Sequence, residues 1–287
     1  MPEMPEVESL ARFLHEHCVG HSIARIDLAA FSALKTYDPP LSALHGLEIE
    51  DVTRRGKFID VSAQGLHLVF HLARAGWLRW REALPAAPLR PGKGPMALRV
   101  RLDDDSGFDL TEAGTQRKLA VYVVADPLAI PMVATLGPDP LTDEFDRAAL
   151  AAVLTKAGRS QLKGVLKDQR TIAGIGNAYS DEILHAARLS PFKPSSTLTE
   201  DELTTLYDAI KGELSGAIKR AEGLAAKDLK GEKKSGLRVH GRKGEKCDVC
   251  GSTIAEVSFA DSSLQYCPTC QTGGKLLADR RMSKLLK

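Results

Sequence analysis

The chain has 287 residues, 43% of them apolar, and 39 Lys and Arg set against 37 Asp and Glu. That length accommodates two compact domains and a small appendage, while a net charge of only +2 does not by itself announce a nucleic-acid binder. No apolar run approaches the roughly 18 residues a membrane span needs, and the acidic opening residues argue against a signal peptide.

The chain opens Met1-Pro2-Glu3-Met4-Pro5-Glu6-Val7-Glu8. Proline in a first turn followed by acids is an ordinary helix start. The same string also carries chemistry. Trimming of Met1, which a small second residue favours, would leave Pro2 as a secondary amine with a reference pKa of roughly 8, a nucleophile that needs no lysine. Attack on a sugar aldehyde carbon would give an iminium, and Glu3 beside it could move the protons. Val7, Leu10, Ala11, Leu14 and Cys18 fall on one helical face and Gly20 supplies a stop, so Cys18 reads as a small core residue.

From Ile23 to Val124 the pattern becomes short alternating segments, as in Leu98-Val100-Leu102 and Leu119-Val121-Val123, with the apolar run Leu66–Leu72 between them. Breaks fall at Pro39-Pro40, Gly56, Gly65 and Pro85–Pro95, which predicts a β-sandwich or barrel. Arg54-Arg55-Gly56-Lys57 crowds three cations beside a strand, either a solvated face or a phosphate contact with Lys57 as point charge. After the turn-rich Leu136–Leu141 the texture is helical. Thr142 is expected to cap one helix, and Thr199 with Glu202 to form a capping box on another. Gly174-Ile175-Gly176-Asn177, ahead of a helix, lets backbone N–H groups approach an anion, although such a pair is often only a tight turn.

The last third is basic: Lys227–Lys246 holds eight Lys or Arg against three acids, and the tail beyond Cys270 five against one. This skew suits a polyanion. Cys247-x2-Cys250-x16-Cys267-x2-Cys270 has the spacing of one closed tetrahedral zinc site, structural because four cysteines leave no open position. Such a site fits an intracellular, reducing compartment better than a disulfide framework does.

Three separated stretches, the N-terminal Pro-Glu, the run Lys167–Leu184 and the four-cysteine segment, together resemble the formamidopyrimidine-DNA glycosylase/endonuclease VIII family along essentially the whole chain. The resemblance implies an α+β fold. An N-terminal helix and β-sandwich would occupy residues 1–135, a helix–two-turn–helix domain 136–226, and a basic linker with a zinc finger 227–287. It implies a glycosylase and abasic-site lyase that acts as a monomer, without a membrane, on damaged duplex DNA of the cytoplasmic nucleoid, held in the cleft between the two domains. Pro2 would be the nucleophile, with Glu3 and Glu6 beside it and Lys57 serving both catalysis and phosphate binding. His71, Lys163, Gly174, Gly176 and Asn177 would hold DNA, and one Zn2+ would sit on the four cysteines.

Departures from the family are visible. Arg74 stands where the formamidopyrimidine branch usually has a methionine wedge, and Thr115-Gln116-Arg117-Lys118-Leu119 stands where it has Asp-Pro-Arg-Arg-Phe. The resemblance gives Arg117 to the base opposite the lesion and Leu119 to the wedge. Ser262 replaces the arginine five residues before the third cysteine, and Lys227–Val239 is shorter than the loop that closes over oxidised guanine. A rival reading is therefore a DNA-binding protein that recognises abasic or distorted DNA without excising bases.

Overall fold

The computed structural model describes residues 1–92, 94–260 and 262–278. Two compact units divide the chain: residues 1–135 with 221–231, and residues 136–220 with 232–287.

The first unit is a helix on a sandwich. Helix α1 (Met4–Cys18) is followed by β1 (Ile23–Leu28), β2 (Ile49–Arg55), β3 (Phe58–Ala63), β4 (Leu66–His71), β5 (Gly76–Arg81), β6 (Met96–Leu102), β7 (Gly107–Glu112) and β8 (Ala120–Val124). The strands form two antiparallel four-stranded sheets, ordered β1-β6-β7-β5 and β2-β3-β4-β8. Register explains the alternation. Ile26 opposes Val100 and Leu98 opposes Leu110, so one face of that sheet is continuously apolar. The helical stripe of Val7, Leu10, Ala11, Leu14 and Cys18 lies in the same core. Val7, Leu10 and Leu14 are each at most 1% exposed, a burial that stabilises by about 1.5–3 kcal/mol per side chain. Cys18 is inert there, its thiol pushed up to about 12 by burial and then by the charge of Asp104.

Residues 221–231 complete this core rather than opening a separate region. Ala221, Ala226 and Leu229 join the cluster, and Trp77 donates its indole N–H to the Ala226 carbonyl at 3.0 Å. The expected division at 226/227 falls inside this segment, whose apolar residues find their partners on the sandwich.

The remaining helices are α2 (Pro131–Ala134), α3 (Arg147–Ala157), α4 (Leu162–Lys167), α5 (Asn177–Ala186), α6 (Glu200–Ala221) and α7 (Leu229–Gly236). The hairpin β9 (Ala255–Ser258) and β10 (Ser263–Tyr266) and the short α8 (Pro268–Thr272) follow. The Thr199–Glu202 capping box is present, with reciprocal bonds of 3.0 and 3.2 Å at the head of α6. Thr142 is not a cap: α3 starts later, and Asp146 caps it through the Ala149 N–H at 2.7 Å. An acidic side chain immediately before the apolar run took that role. Among the described residues no helix is long and apolar enough to cross a membrane.

Candidate active site and nucleic-acid interface

Glu3 is the N-cap of α1, and its N–H donates to Glu6 Oε2 at 2.8 Å, so the two carboxylates close a capping box. Both are buried, 2% and 4% exposed. The helix start therefore fixes the direction in which the chain enters. Pro2 is buried just before it, whereas Met1 stands 47% exposed. With Met1 attached the Pro2 nitrogen is an amide; its removal makes that nitrogen an amine held at a rigid helix head.

The cationic stretch is not a uniform phosphate patch. Arg54 Nε donates to Glu8 Oε2 on α1 at 2.8 Å, and Arg55 Nε to Asp60 Oδ2 at 2.8 Å. Burial pushes the Glu8 carboxyl up, but the hydrogen bonds and charges of Arg54 and Arg12 outweigh it and leave Glu8 below its ordinary value. Arg54 and Arg55 are thus struts, and Lys57, 7% exposed, stands at the hairpin turn between β2 and β3. His71, opposite Phe58 on β4, is driven down to about 4 by burial and then by the charge of Lys57. Its Nδ1 lies 3.2 Å from the Ala73 N–H. A neutral ring that accepts at Nδ1 carries its proton on Nε2, ready to donate to an oxygen.

Arg74 is exposed on the turn after β4. Gly76 donates its N–H to Leu72 O at 2.9 Å to close that turn, and a Cβ at Gly76 would come within 2.0 Å of the same oxygen, so only glycine fits. Arg117 is also exposed, its guanidinium bonded to Gly94 O at 2.9 Å. Leu119 departs from the expected wedge: it is 2% exposed and packed in the sandwich core. Glu112, which sequence reasoning did not single out, pins this loop by accepting the Lys118 and Leu119 N–H groups at 2.8 and 3.0 Å.

In the second unit Gly174 takes φ +86°, open to glycine at little cost. Its N–H is committed to Gln169 Oε1 at 2.9 Å, so it is not offered to an anion as the sequence suggested. Gly176 is the N-cap of α5. The side chain of Asn177, first residue of α5, donates to Ser263 O on the finger hairpin at 2.8 Å, while its Oδ1 is buried without a partner among the described residues. Lys163, expected at DNA, is an internal strut. Its ammonium meets Asp181 Oδ1 at 2.7 Å, Ser180 Oγ at 2.8 Å and Asn177 O at 3.0 Å.

Asp181 and Glu182 were legible only as part of a longer string, yet they organise this unit. Asp181 Oδ2 accepts His240 Nδ1 at 2.7 Å and the Gln265 N–H at 3.3 Å. Glu182 accepts the consecutive N–H groups of Arg238, Val239 and His240 at 2.8, 3.0 and 2.8 Å. Burial raises the Glu182 carboxyl, and these bonds oppose the rise. The signal was an acid pair in the middle of a helix whose neighbours Ala178, Ile183 and Leu184 are apolar.

The four cysteine sulfurs lie within 4.8 Å of one another. Cys250 and Cys267 are 3.3 Å apart and Cys247 and Cys270 3.9 Å, with no disulfide among them. Four thiolates bound to zinc at about 2.3 Å stand roughly 3.8 Å apart, so this donor set fits one structural Zn2+. Ser262 is exposed in the finger turn, where Phe259 N–H meets its carbonyl at 2.8 Å. Residues Arg280, Arg281, Lys284 and Lys287 of the basic tail, and Asp261, lie outside the described residues.

The formamidopyrimidine-DNA glycosylase N-terminal domain matches residues 1–120, the family's H2TH domain residues 136–228, and the zinc finger found in FPG and IleRS residues 244–273. Together with the site, these matches define a DNA N-glycosylase of base-excision repair. The formamidopyrimidine-DNA glycosylase of Symbiobacterium thermophilum is 35% identical over 294 residues, covering 98% of this chain and 93% of that protein. An uncharacterized formamidopyrimidine-DNA glycosylase-like protein of Mycobacterium tuberculosis is 57% identical over 157 residues, 55% of this chain and 98% of that protein. The Lactococcus lactis glycosylase bound non-covalently to AP-site DNA superposes with TM-score 0.81 at 27% identity, over 94% of this chain and 99% of that one. The chain belongs to the formamidopyrimidine-DNA glycosylase family.

Proposed function

We propose that this chain excises damaged bases from duplex DNA and then cuts the strand at the abasic sugar, using the amine of a trimmed Pro2. The lone pair attacks C1′, the glycosidic bond breaks and the base leaves with a proton. The C1′–O4′ bond then opens as O4′ takes a proton, leaving an iminium between Pro2 and C1′ that acidifies C2′, whose proton is lost as the 3′ phosphate is expelled. Glu3 assists sugar opening and proton transfer, and Glu6 holds the backbone that aims the nucleophile. The observation that carries this reading is the buried Glu3–Glu6 box, which fixes Pro2 at the head of α1 while Met1 projects outward.

Lys57, the Nε2–H of His71 and Asn177 would grip phosphates, whereas exposed Arg74 and Arg117 would occupy the space of an extruded nucleotide and face the opposite base. Lys163 and Gly174 would act indirectly by shaping the turn before Asn177. The bound zinc would stiffen the finger and take no part in the chemistry. The protein would act as a monomer on the cytoplasmic nucleoid.

Ser262 supports the second reading, a binder of abasic or distorted DNA that leaves bases in place, because no guanidinium stands at that turn to clamp the lesion phosphate. Incubation of N-terminally trimmed protein with an abasic duplex separates the two. Strand cleavage supports the enzyme; tight, specific binding without cleavage supports the binder.

A further inference from the structure

We infer that His185 positions the Cys247 sulfur by donating its Nε2 proton to it, so that helix α5 is part of what retains the zinc. His185 is 3% exposed near the end of α5, and its Nε2 lies 3.3 Å from Cys247 Sγ. Its other nitrogen, Nδ1, is buried and has no partner among the described residues. A neutral imidazole has one proton to place. On Nδ1 it would be a stranded donor with a desolvation cost; on Nε2 it meets sulfur. Metal binding requires Cys247 as a thiolate, a far better acceptor than a thiol, so ring tautomer and metal-bound sulfur suit each other.

His185 is not a fifth ligand, since four sulfurs already complete the tetrahedron. It holds one of them from outside the finger. Asp181 and Glu182, one turn earlier on α5, bind the backbone of residues 238–240 and the Gln265 N–H. Val239, Cys247, Ile254 and Cys267 then form a small shared core. The hydrogen bond to Cys247 therefore completes a series in which the helix that begins at Asn177 ends on the metal site. This inference stands apart from the proposed chemistry at Pro2.

Zinc release from the full-length zinc-loaded protein to an excess of a chromophoric chelator tests it, in wild type, His185→Phe and His185→Gln. Phenylalanine keeps the ring and loses the donor; glutamine keeps an N–H near the position of Nε2. Loss of such a partner weakens metal retention by about 10–100-fold, so the Phe variant should release zinc faster by that factor and the Gln variant should remain close to wild type. With Co2+ in place of zinc, the thiolate-to-metal absorption should move to lower energy in the Phe variant only. Wild-type release from a Phe variant with unchanged circular dichroism would overturn the inference. So would equally fast release from both variants, which would reduce His185 to packing.

Discussion

Replacing Lys163 with methionine separates two roles that the sequence alone could not. In the structure all three ammonium protons are directed inward, to Asp181, Ser180 and Asn177 at 2.7, 2.8 and 3.0 Å. The lysine side chain is 8% exposed and the Asp181 side chain 0%. Methionine has similar length and no charge, so among the described residues Lys163→Met leaves Asp181 in the interior with His240 and the Gln265 N–H. Breaking a buried pair costs about 3–5 kcal/mol, and the surviving donors place this case near the lower bound. At about 2–4 °C per kcal/mol for a chain of this size, Tm should fall by roughly 6–12 °C. A lysine that neutralised a phosphate would behave differently, its loss lowering the slope of log affinity against log salt by about 0.9. Thermal denaturation and a salt titration of duplex binding on the same variant decide the matter. An unchanged Tm with the slope reduced by about 0.9 would refute the strut and restore the direct contact.

Glu8→Gln should flatten the acid limb of the stability profile. Arg54 and Arg12 hold Glu8 below its ordinary 4.5 against the opposing push of burial, so its contribution is present above that pH and is lost as pH falls through the lowered value. Tm measured from pH 3 to 7 should drop more steeply in wild type than in the variant; parallel profiles would contradict this. Cys247→Ala should bind less than one zinc per chain by elemental analysis and weaken DNA binding without touching Pro2, and full zinc content would count against the four-cysteine site. Under single-turnover conditions, oxidised-guanine release should be slower than abasic-site cleavage by at least about tenfold, or ~1.4 kcal/mol of barrier. The motivation is that Lys227–Val239 is shorter than the loop that closes over oxidised guanine in the family, and that its Leu229 and Val239 are buried, 2% and 0% exposed. Comparable rates would remove that argument.

Local patterns carried much of the fold. The stripe on α1, the alternation of β6 and β8 and the four-cysteine spacing depend on short-range periodicity, which a sequence displays directly. The helix start at Pro5-Glu6 was legible for the same reason, since a first helical turn is read from adjacent residues. What escaped depended on distant partners. Lys163 was expected at DNA from the family resemblance, and its partner Asp181, 18 positions away, is invisible until the helices pack. Leu119 looked available as a wedge because the sandwich that buries it is assembled from strands far along the chain. The committed N–H of Gly174 and the anchoring by Glu182, which reaches 56 positions to Arg238, were hidden likewise. The Thr142 cap failed through local competition, as Asp146 stands closer to the apolar run that defines α3.

The central claim concerns the nitrogen of Pro2, and a reduced covalent adduct tests it most directly. Trimmed protein is incubated with an abasic duplex and borohydride, digested, and the crosslinked peptide sequenced by mass spectrometry. The account predicts a secondary-amine attack that reduction fixes as a stable bond between the Pro2 nitrogen and the sugar C1′, absent when Met1 is retained because the nitrogen is then an amide. A crosslink mapped to Lys57 or another lysine, or no crosslink from trimmed protein shown to be bound to the duplex, would contradict it.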